Sequence, residues 1–497
     1  MKIIRLSSED NVAVAAVKLA AGEKVKTGDQ VVTVAEPILP GHKLALEWIG
    51  AGQSVIKYGY PIGTATADIR SGSRVHTHNL HSSLDIDPFY TYRPVFPDMG
   101  REPVKMEGYF AGYRRKNGTV GIRNELWIIP TVGCVNRIAE LIRKRARKLL
   151  AGKEYIEGIY EFKHPYGCSQ VGEDHAATRR ILVNLARHPN AGGVLILGLG
   201  CENNRISEME KELRPYNPHR IKFLVAQESD DEVTEGVRLL EELADYASTF
   251  RRRQCPISEL VVGLKCGGSD AFSGITANPL VGLICDRLTA GGGTAVLSEV
   301  PEMFGAETIL MSRAGNENVF KEIVDLINDY KSYYRSAGRP VYENPSPGNL
   351  EGGITTLEEK SLGCVQKGGI GPVRAVIPYG GMAKTRGLNL LGAPGNDAVS
   401  TTALAAAGCQ MILFTTGRGT PFGTSVPTYK IASTSGLTAR KPGWIDFNAG
   451  CLLEGTVFPE ACSELEKNLL QVASGSPVKA ELMGFREIAI LKRGVTL

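Results

Sequence analysis

"ELVVGLKCGGSDAFSGITANPLVGLICDRL", residues 259–288, carries the pattern on which the fold turns. A short apolar run ends at Lys265 and Cys266. A loop of Gly, Ser and Asp follows at once, and then a stretch of helical length rich in Leu, Ile and Val. That order reads as strand, loop, helix.

The same unit recurs on both sides. "LWIIPTVGC" (126–134) precedes the strongly helical "NRIAELIRKRARKLL" (136–150). "YIEGIYEF" (155–162) runs into "HPYGCSQ" (164–170), with a helix expected from near Gly172. "GVLILGLGC" (193–201) is followed by a polar loop and by "RIKFLVAQ" (220–227). Further along, "RAVIPYG" (374–380) and "QMILFTTGRG" (410–419) flank the helical "DAVSTTALAAAG" (397–408). Alternating strands and helices predict an α/β body whose sheets are parallel or mixed.

Ahead of this body, residues 1–82 have a different texture. "NVAVAAVKL", "KVKTGDQVVTV" and "SVIKYGYPIGTATADI" are β-branched or alternating, with Gly and Asp at the turns. They predict a small folded-over β unit. Residues 83–107, with four prolines in "LDIDPFYTYRPVFPDMGREPV", read as a packed linker. The turn-rich "NPSPGNLEGG" (344–353) suggests a soft break near 345. The expected units are therefore 1–82, 108–345 and 346–497.

Composition narrows the function. In 497 residues, 43% are hydrophobic and 22% charged, which fits a soluble globular chain. The net charge of +4 is too small to mark a nucleic-acid surface. No apolar run approaches the ~20 residues that span a bilayer, and the first residues show no signal peptide. Ten cysteines in so long a chain are no disulfide scaffold and suggest reduced thiols in the cytosol. The run "RKRARK" (143–148) reads as a solvated helix face.

Chemistry concentrates where strands end. "HPYGCSQ" holds His164, Cys168, Ser169 and Gln170; "GLGCE" holds Cys201 and Glu202; "KCGGSD" holds Lys265, Cys266, Gly267, Gly268, Ser269 and Asp270; "FTTGRGTPFG" holds Arg418. Carboxyl ends of strands form the binding crevice of open α/β sheets, and glycine lets backbone N–H groups approach an anion. These loops predict one pocket for a small polar anion. No G-x-G-x-x-G in a strand–turn–helix setting and no G-x-x-x-x-G-K-[ST] occurs, so no nucleotide cofactor is expected. Cys168, Cys201 and Cys266 are candidate thiols for an iron–sulfur cluster, although no C-x-x-C occurs and small cysteines beside glycine also pack well. Cys168 beside His164 and His175 also admits a thiol acyl transferase, with no motif to fix its geometry.

"SGSRVHTHNL" (71–80) places His76 and His78 two residues apart. On a strand they would share a face and reach one metal ion, with His42 and His81 near in sequence.

Long stretches then resemble the altronate and galactarate dehydratase family. "DNVAVA", "GHKLAL", "VIKYGYPIGTA" and "VHTHN" are similar to its N-terminal SAF (β-clip) unit. "GYRRKNGTVGIRN", "HPYGCSQ", "GLGCE", "KCGGSDAFSGITANP", "SEVPEMFGAE", "TTLEEKSLGC", "GNDAVSTTALAAAGCQ" and "FTTGRGTPFG" resemble its body, in order from about residue 10 to 455. The resemblance implies a cytoplasmic, metal-dependent sugar-acid dehydratase using Fe²⁺, with Mn²⁺ as a substitute, and yielding a 2-keto-3-deoxy acid. Altronate leads among its substrates. Galactarate or another hexonate or hexarate is the alternative, and a non-catalytic sugar-acid binding protein is the rival from another class. A homodimer is expected.

Dehydration of a 2,3-dihydroxy acid needs a base at carbon 2, stabilisation of the enediolate, and help for the departing carbon-3 hydroxyl. On this scheme His76 and His78 hold the metal. Gly267, Gly268, Ser269, Asp270 and Arg418, with Ser169 and Gln170, hold the substrate. The base is Lys265, His164 or His175, and a lysine base would need its pKa lowered by burial or a neighbouring cation. The site then lies where the small β unit meets the body.

Overall fold

The computed structural model describes residues 2–85, 88–96, 104–149, 152–153, 155–341 and 344–497. The predicted linker at 83–107 falls partly outside these residues.

The first unit is all β. Strands Ile3–Ile4, Val12–Ala15, Lys43–Ala45 and Arg74–Val75 form one antiparallel sheet. Lys24–Thr27 pairs with Gln30–Thr33, and Ser54–Lys57 with Tyr60–Ala65, which also pairs with Leu80–His81. One face encloses its own core of Ile3, Ala13, Leu19, Val25, Val32 and Leu44. The other, through Val12, Ala45, Val55, Ile62 and Val75, joins the core of the body. Val12–Ala15 is therefore buried on both faces. Tight turns need glycine here: at Gly72, with φ +82°, a Cβ would lie 2.0 Å from the Thr33 carbonyl oxygen.

A parallel four-stranded sheet follows, ordered Ile159–Glu161, Glu125–Pro130, Ala191–Gly198, Ile221–Val225. Helices Asn136–Leu149 and Glu232–Ala247 cover one face. Gly172–Arg187 covers the other and packs on helix Asp397–Ala406 of the next layer. The "GYRRKNGTVGIRN" stretch is a structural clamp. Arg115 donates to Pro189 O and Asn124 Oδ1, while Arg123 reaches Glu481 and the carbonyls of Val472 and Ser476.

The third sheet has seven parallel strands: Val373–Ile377, Gly387–Leu391, Thr294–Leu297, Val261–Cys266, Met411–Thr416, Thr428–Ala432 and Phe447–Asn448. Met411–Thr416 is buried throughout, as expected of a strand covered on both faces. Strands from both sides of residue 345 alternate within this sheet, so a boundary there does not divide the structure. From Val261–Cys266 the chain passes first to Thr294–Leu297 on one side and later to Met411–Thr416 on the other. The loops after Cys266 and Thr416 flank that reversal, where open α/β sheets bind ligands.

The β character predicted for "SGSRVHTHNL" stops early. The strand ends at Val75, and residues 76–79 form a turn in which the Asn79 side chain accepts from His76 N and donates to Arg74 O. His76 and His78 therefore do not share a strand face.

Candidate active site

At the end of strand Val261–Cys266 the chain buries a set of opposed charges. Lys265 Nζ lies 2.5 Å from Glu299 Oε1 and 3.0 Å from Asp397 Oδ1, and it also donates to the carbonyls of Gly395 and Cys266. Lys367 lies 3.2 Å from Glu299 and 2.8 Å from Cys364 Sγ; Lys360 lies 3.0 Å from Glu302. The Cys266 and Cys364 sulfurs are 3.9 Å apart. Burial works against a charged Lys265, yet Glu299, Asp397 and Glu302 outweigh it and push the ammonium pKa above the usual lysine range. Burial likewise opposes a charged Glu302, but Lys360, Lys265 and Lys367 hold its carboxyl down at about 2. Three lysines thus meet three acidic side chains, and Lys265, Lys360, Lys367 and Glu302 are held in their charged forms. Lys265 has the reverse of the environment a lysine base needs.

Cys266, Glu299, Glu302 and Cys364 place donor atoms within 4.8 Å of one another. Both carboxylates already hold lysines, so a divalent ion there would face three cations at close range. This donor set does not fit a metal.

The next loop forms the crevice wall. A Cβ on Gly267 would meet the Asp397 carboxylate at 2.6 Å, and Gly268 has φ +60°. The Gly267 N–H donates to Thr415 O, so it is spent inside the sheet, while Gly268 O accepts from the Gly417 and Arg418 N–H groups. Ser269 O accepts from Asn349 Nδ2. Among the described residues Asp270 forms no ion pair; its carboxylate accepts from Ser273 N, Ser273 Oγ and Ser433 Oγ. Burial raises its pKa against these bonds. Arg418 is exposed and pairs with Glu351 at 2.8 Å. Of the predicted substrate loop, Ser269, Asp270 and Arg418 keep side chains able to meet a ligand.

The first unit reaches this wall. Lys43 and Lys57 share the buried Glu359 at 2.8 and 2.7 Å. Lys57 and Tyr58 line a narrow cleft with Cys266, Ser269, Asp270 and Lys360. The turn at 350–353 packs between Asp270 and Gly41, with Ala271 N donating to Gly352 O. Against that turn stand two histidines. His76 Nε2 donates to Leu350 O, leaving Nδ1 to accept from the Thr77 hydroxyl. The His42 ring lies 5.1 Å away, beside the Glu351 backbone. Burial lowers both pKa values, that of His76 to about 4. His42 Nδ1 is buried without a hydrogen-bond partner among the described residues. Two neutral imidazoles, one with an unused buried lone pair, are what a divalent ion takes. His78 is exposed on the turn. The structure thus pairs His76 with His42 rather than with His78.

The remaining predicted residues gather elsewhere. His164, Cys168, Ser169, Gln170, His175 and Cys201 lie at the ends of the four-stranded sheet. His164 is buried and spent: Nε2 donates to Pro130 O, and Nδ1 accepts from Tyr166 N. Among the described residues, no hydrogen bond or ion pair joins this group to the Lys265 cluster. Sequence reasoning missed Lys43, Lys57, Glu299, Glu302, Glu359, Lys360 and Lys367. The available signal was charge set inside apolar motifs, as in "GHKLAL" and "SEVPEMF".

Three family models cover the chain. Residues 1–83 match the altronate/galactarate dehydratase SAF domain. Residues 112–248 match the second domain of D-galactarate dehydratase/altronate hydrolase, and 257–496 the D-galactarate/altronate dehydratase C-terminal domain. The chain is 53% identical over 496 residues to an altronate dehydratase of Bacillus subtilis (strain 168), covering 99% of each. It is 50% identical over 498 residues to an altronate dehydratase of Escherichia coli (strain K12), covering all of both. A galactarate dehydratase (L-threo-forming) of the same E. coli strain is 34% identical over 95% of this chain and 92% of its own length.

Proposed function

The chain belongs to the altronate/galactarate dehydratase family, and from that premise we propose that it removes water from D-altronate to give 2-keto-3-deoxy-D-gluconate. One observation carries the substrate: full-length identity is 50–53% with two altronate dehydratases but 34% with a galactarate dehydratase.

The site proposed is the junction of the first unit with the loops after Cys266 and Thr416. Arg418 takes the substrate carboxylate, since its exposed partner Glu351 is easily displaced. Asp270, buried and unpaired with any cation among the described residues, accepts the carbon-2 proton. Lys265 and Glu299, bonded to the Cys266 carbonyl and N–H, hold the start of the Gly267–Gly268 loop beside the crevice. Fe²⁺, with Mn²⁺ as a substitute, is proposed at His42 and His76, whose neutral rings and free lone pair support it. Bound there, it supplies Lewis acidity toward the charge that develops as the proton leaves. The enol ketonises without a redox partner, so no nucleotide cofactor is required.

Among the described residues no helix is long and apolar enough to cross a membrane. Ten free cysteines support a cytoplasmic setting. A homodimer is the proposed assembly, supported by exposed Trp48, Leu39 and Val31 on the first unit, and sedimentation of the purified chain reads it.

The test is to supply the purified chain with Fe²⁺ under reducing conditions and to offer altronate, galactarate and other hexonates. Keto acid should form fastest from altronate. Preference for galactarate would reassign the substrate, and saturable binding without product would make the chain a binding protein.

A further inference from the structure

Ten cysteines are free, and three of them are exposed: Cys134, Cys168 and Cys201. All three stand in loops that follow adjacent parallel strands of one sheet, Glu125–Pro130, Ile159–Glu161 and Ala191–Gly198. Their Sγ atoms therefore belong to the same edge. Cysteine is among the most buried residue types, so this selection of the exposed ones calls for a cause.

The loops are laced together. Gly133 N donates to Tyr166 O, and a Cβ on Gly167 would strike Thr131 O at 2.0 Å. Ser169 N donates to Asn203 Oδ1, and Asn204 N to Gly167 O. Thr131 donates to Glu202, which also accepts from the Leu199 and Gly200 N–H groups. So the Cys134 loop is tied to the Cys168 loop, and both to the Cys201 loop.

Polar atoms near these thiols lack partners. Gln170 is 3% exposed and Asn204 fully buried, yet Gln170 Nε2 and Asn204 Oδ1 have no hydrogen bond among the described residues. Gln170 accepts from Gly167 N beside Cys168, and Asn204 Nδ2 donates to Thr131 O. His175, beside the Asn203 backbone, has its Nε2 buried and without a partner among the described residues. Buried polar atoms are rarely left unpaired without a ligand, ion or water to meet them.

We propose that Cys134, Cys168 and Cys201 hold an iron–sulfur cluster at the carboxyl edge of the four-stranded sheet. The alternative is a single ion. Sulfur ligands at ~2.3 Å from one ion stand no more than about 4.6 Å apart. Among the described residues, the donors gathered within 4.8 Å are those of the Cys266 set, not these three thiols. The three thiols are thus not gathered round one point as a single ion needs, whereas a cluster spreads its thiolates over different irons. The sequence had grouped Cys168 and Cys201 with Cys266. The structure separates Cys266 into the buried charge cluster and supplies Cys134 in its place.

Assembly balances simply. Ferrous and ferric iron in equal amounts, with as much sulfide as total iron, form a cubane cluster without a further oxidant. Each thiol loses its proton to solvent as its S–Fe bond forms.

The test is anaerobic reconstitution of the full chain with that mixture, followed by desalting and assay of bound iron and acid-labile sulfide. Iron and sulfide should be retained in nearly equal amounts. They should be lost in Cys134→Ser, Cys168→Ser and Cys201→Ser, and kept in Cys451→Ser. Alkylating the exposed thiols of the unaltered chain beforehand should also block uptake, which guards against a variant that fails to fold. Retention of iron without sulfide, or of sulfide in all three variants, would overturn the proposal. His76→Ala should keep the sulfide, so this outcome is separate from that of the histidine site.

Discussion

The imidazole rings of His42 and His76 lie 5.1 Å apart, tilted by 32°, although 34 positions of sequence separate them. The turn at 76–79 turns His76 inward, and the Gly41 turn places His42 beside it. If this pair holds the ion, His42→Ala and His76→Ala should each lose bound iron and about 10²-fold or more in kcat/KM. His78→Ala should keep both. Metal analysis and altronate turnover on the same samples check this.

Acid should weaken the fold in a definite window. The folded His76 pKa is about 4 against an ordinary 6.5, because burial disfavours the imidazolium. Below pH 6.5 the unfolded chain binds the proton and the folded chain does not, so stability should fall as pH drops toward 4. His76→Gln should flatten that part of the urea midpoint against pH.

Glu359 holds two buried lysines between the first unit and the body. Burial opposes its charge, but Lys43 and Lys57 keep its carboxyl at about 2. Burial, with Lys57 close by, brings Lys43 down to about 8 despite that carboxylate. Glu359→Gln leaves buried ammoniums without their counterion, so urea unfolding should show a loss of ~3–5 kcal/mol.

Lys265 acts as a fixed cation. Lys265→Met should take the cation from Asp397 and leave Glu299 with Lys367 alone, lowering stability by about 3–5 kcal/mol. Lost turnover with an unchanged urea midpoint would instead restore Lys265 as the base.

Arg418→Ala should leave stability within ~1 kcal/mol, because its pair with Glu351 is exposed. Its altronate KM should rise about tenfold or more, the cost of one charge-assisted bond. Steady-state kinetics reads the change.

Local pattern made the α/β body legible. Fully buried strands such as Met411–Thr416 read as continuous apolar runs, and each ends in a loop of Gly, Cys and polar residues. Asp270 and Arg418 were visible for that reason. The histidine partner was not, because a strand periodicity cannot foresee the turn that Asn79 stabilises after Val75. Nor could spacing assemble Lys265, Glu299, Lys360 and Lys367, whose charges meet only after three separate segments pack. Lys265 looked like a base because its neighbours in sequence are apolar, while its neighbours in space are acids.

Dehydration at this junction is tested most directly with altronate carrying deuterium at carbon 2, given to the iron-loaded chain in ordinary water. The account predicts 2-keto-3-deoxy acid with the label released to solvent, at a rate slowed by the heavier isotope. Absence of keto acid, or a product that retains the label, would contradict it.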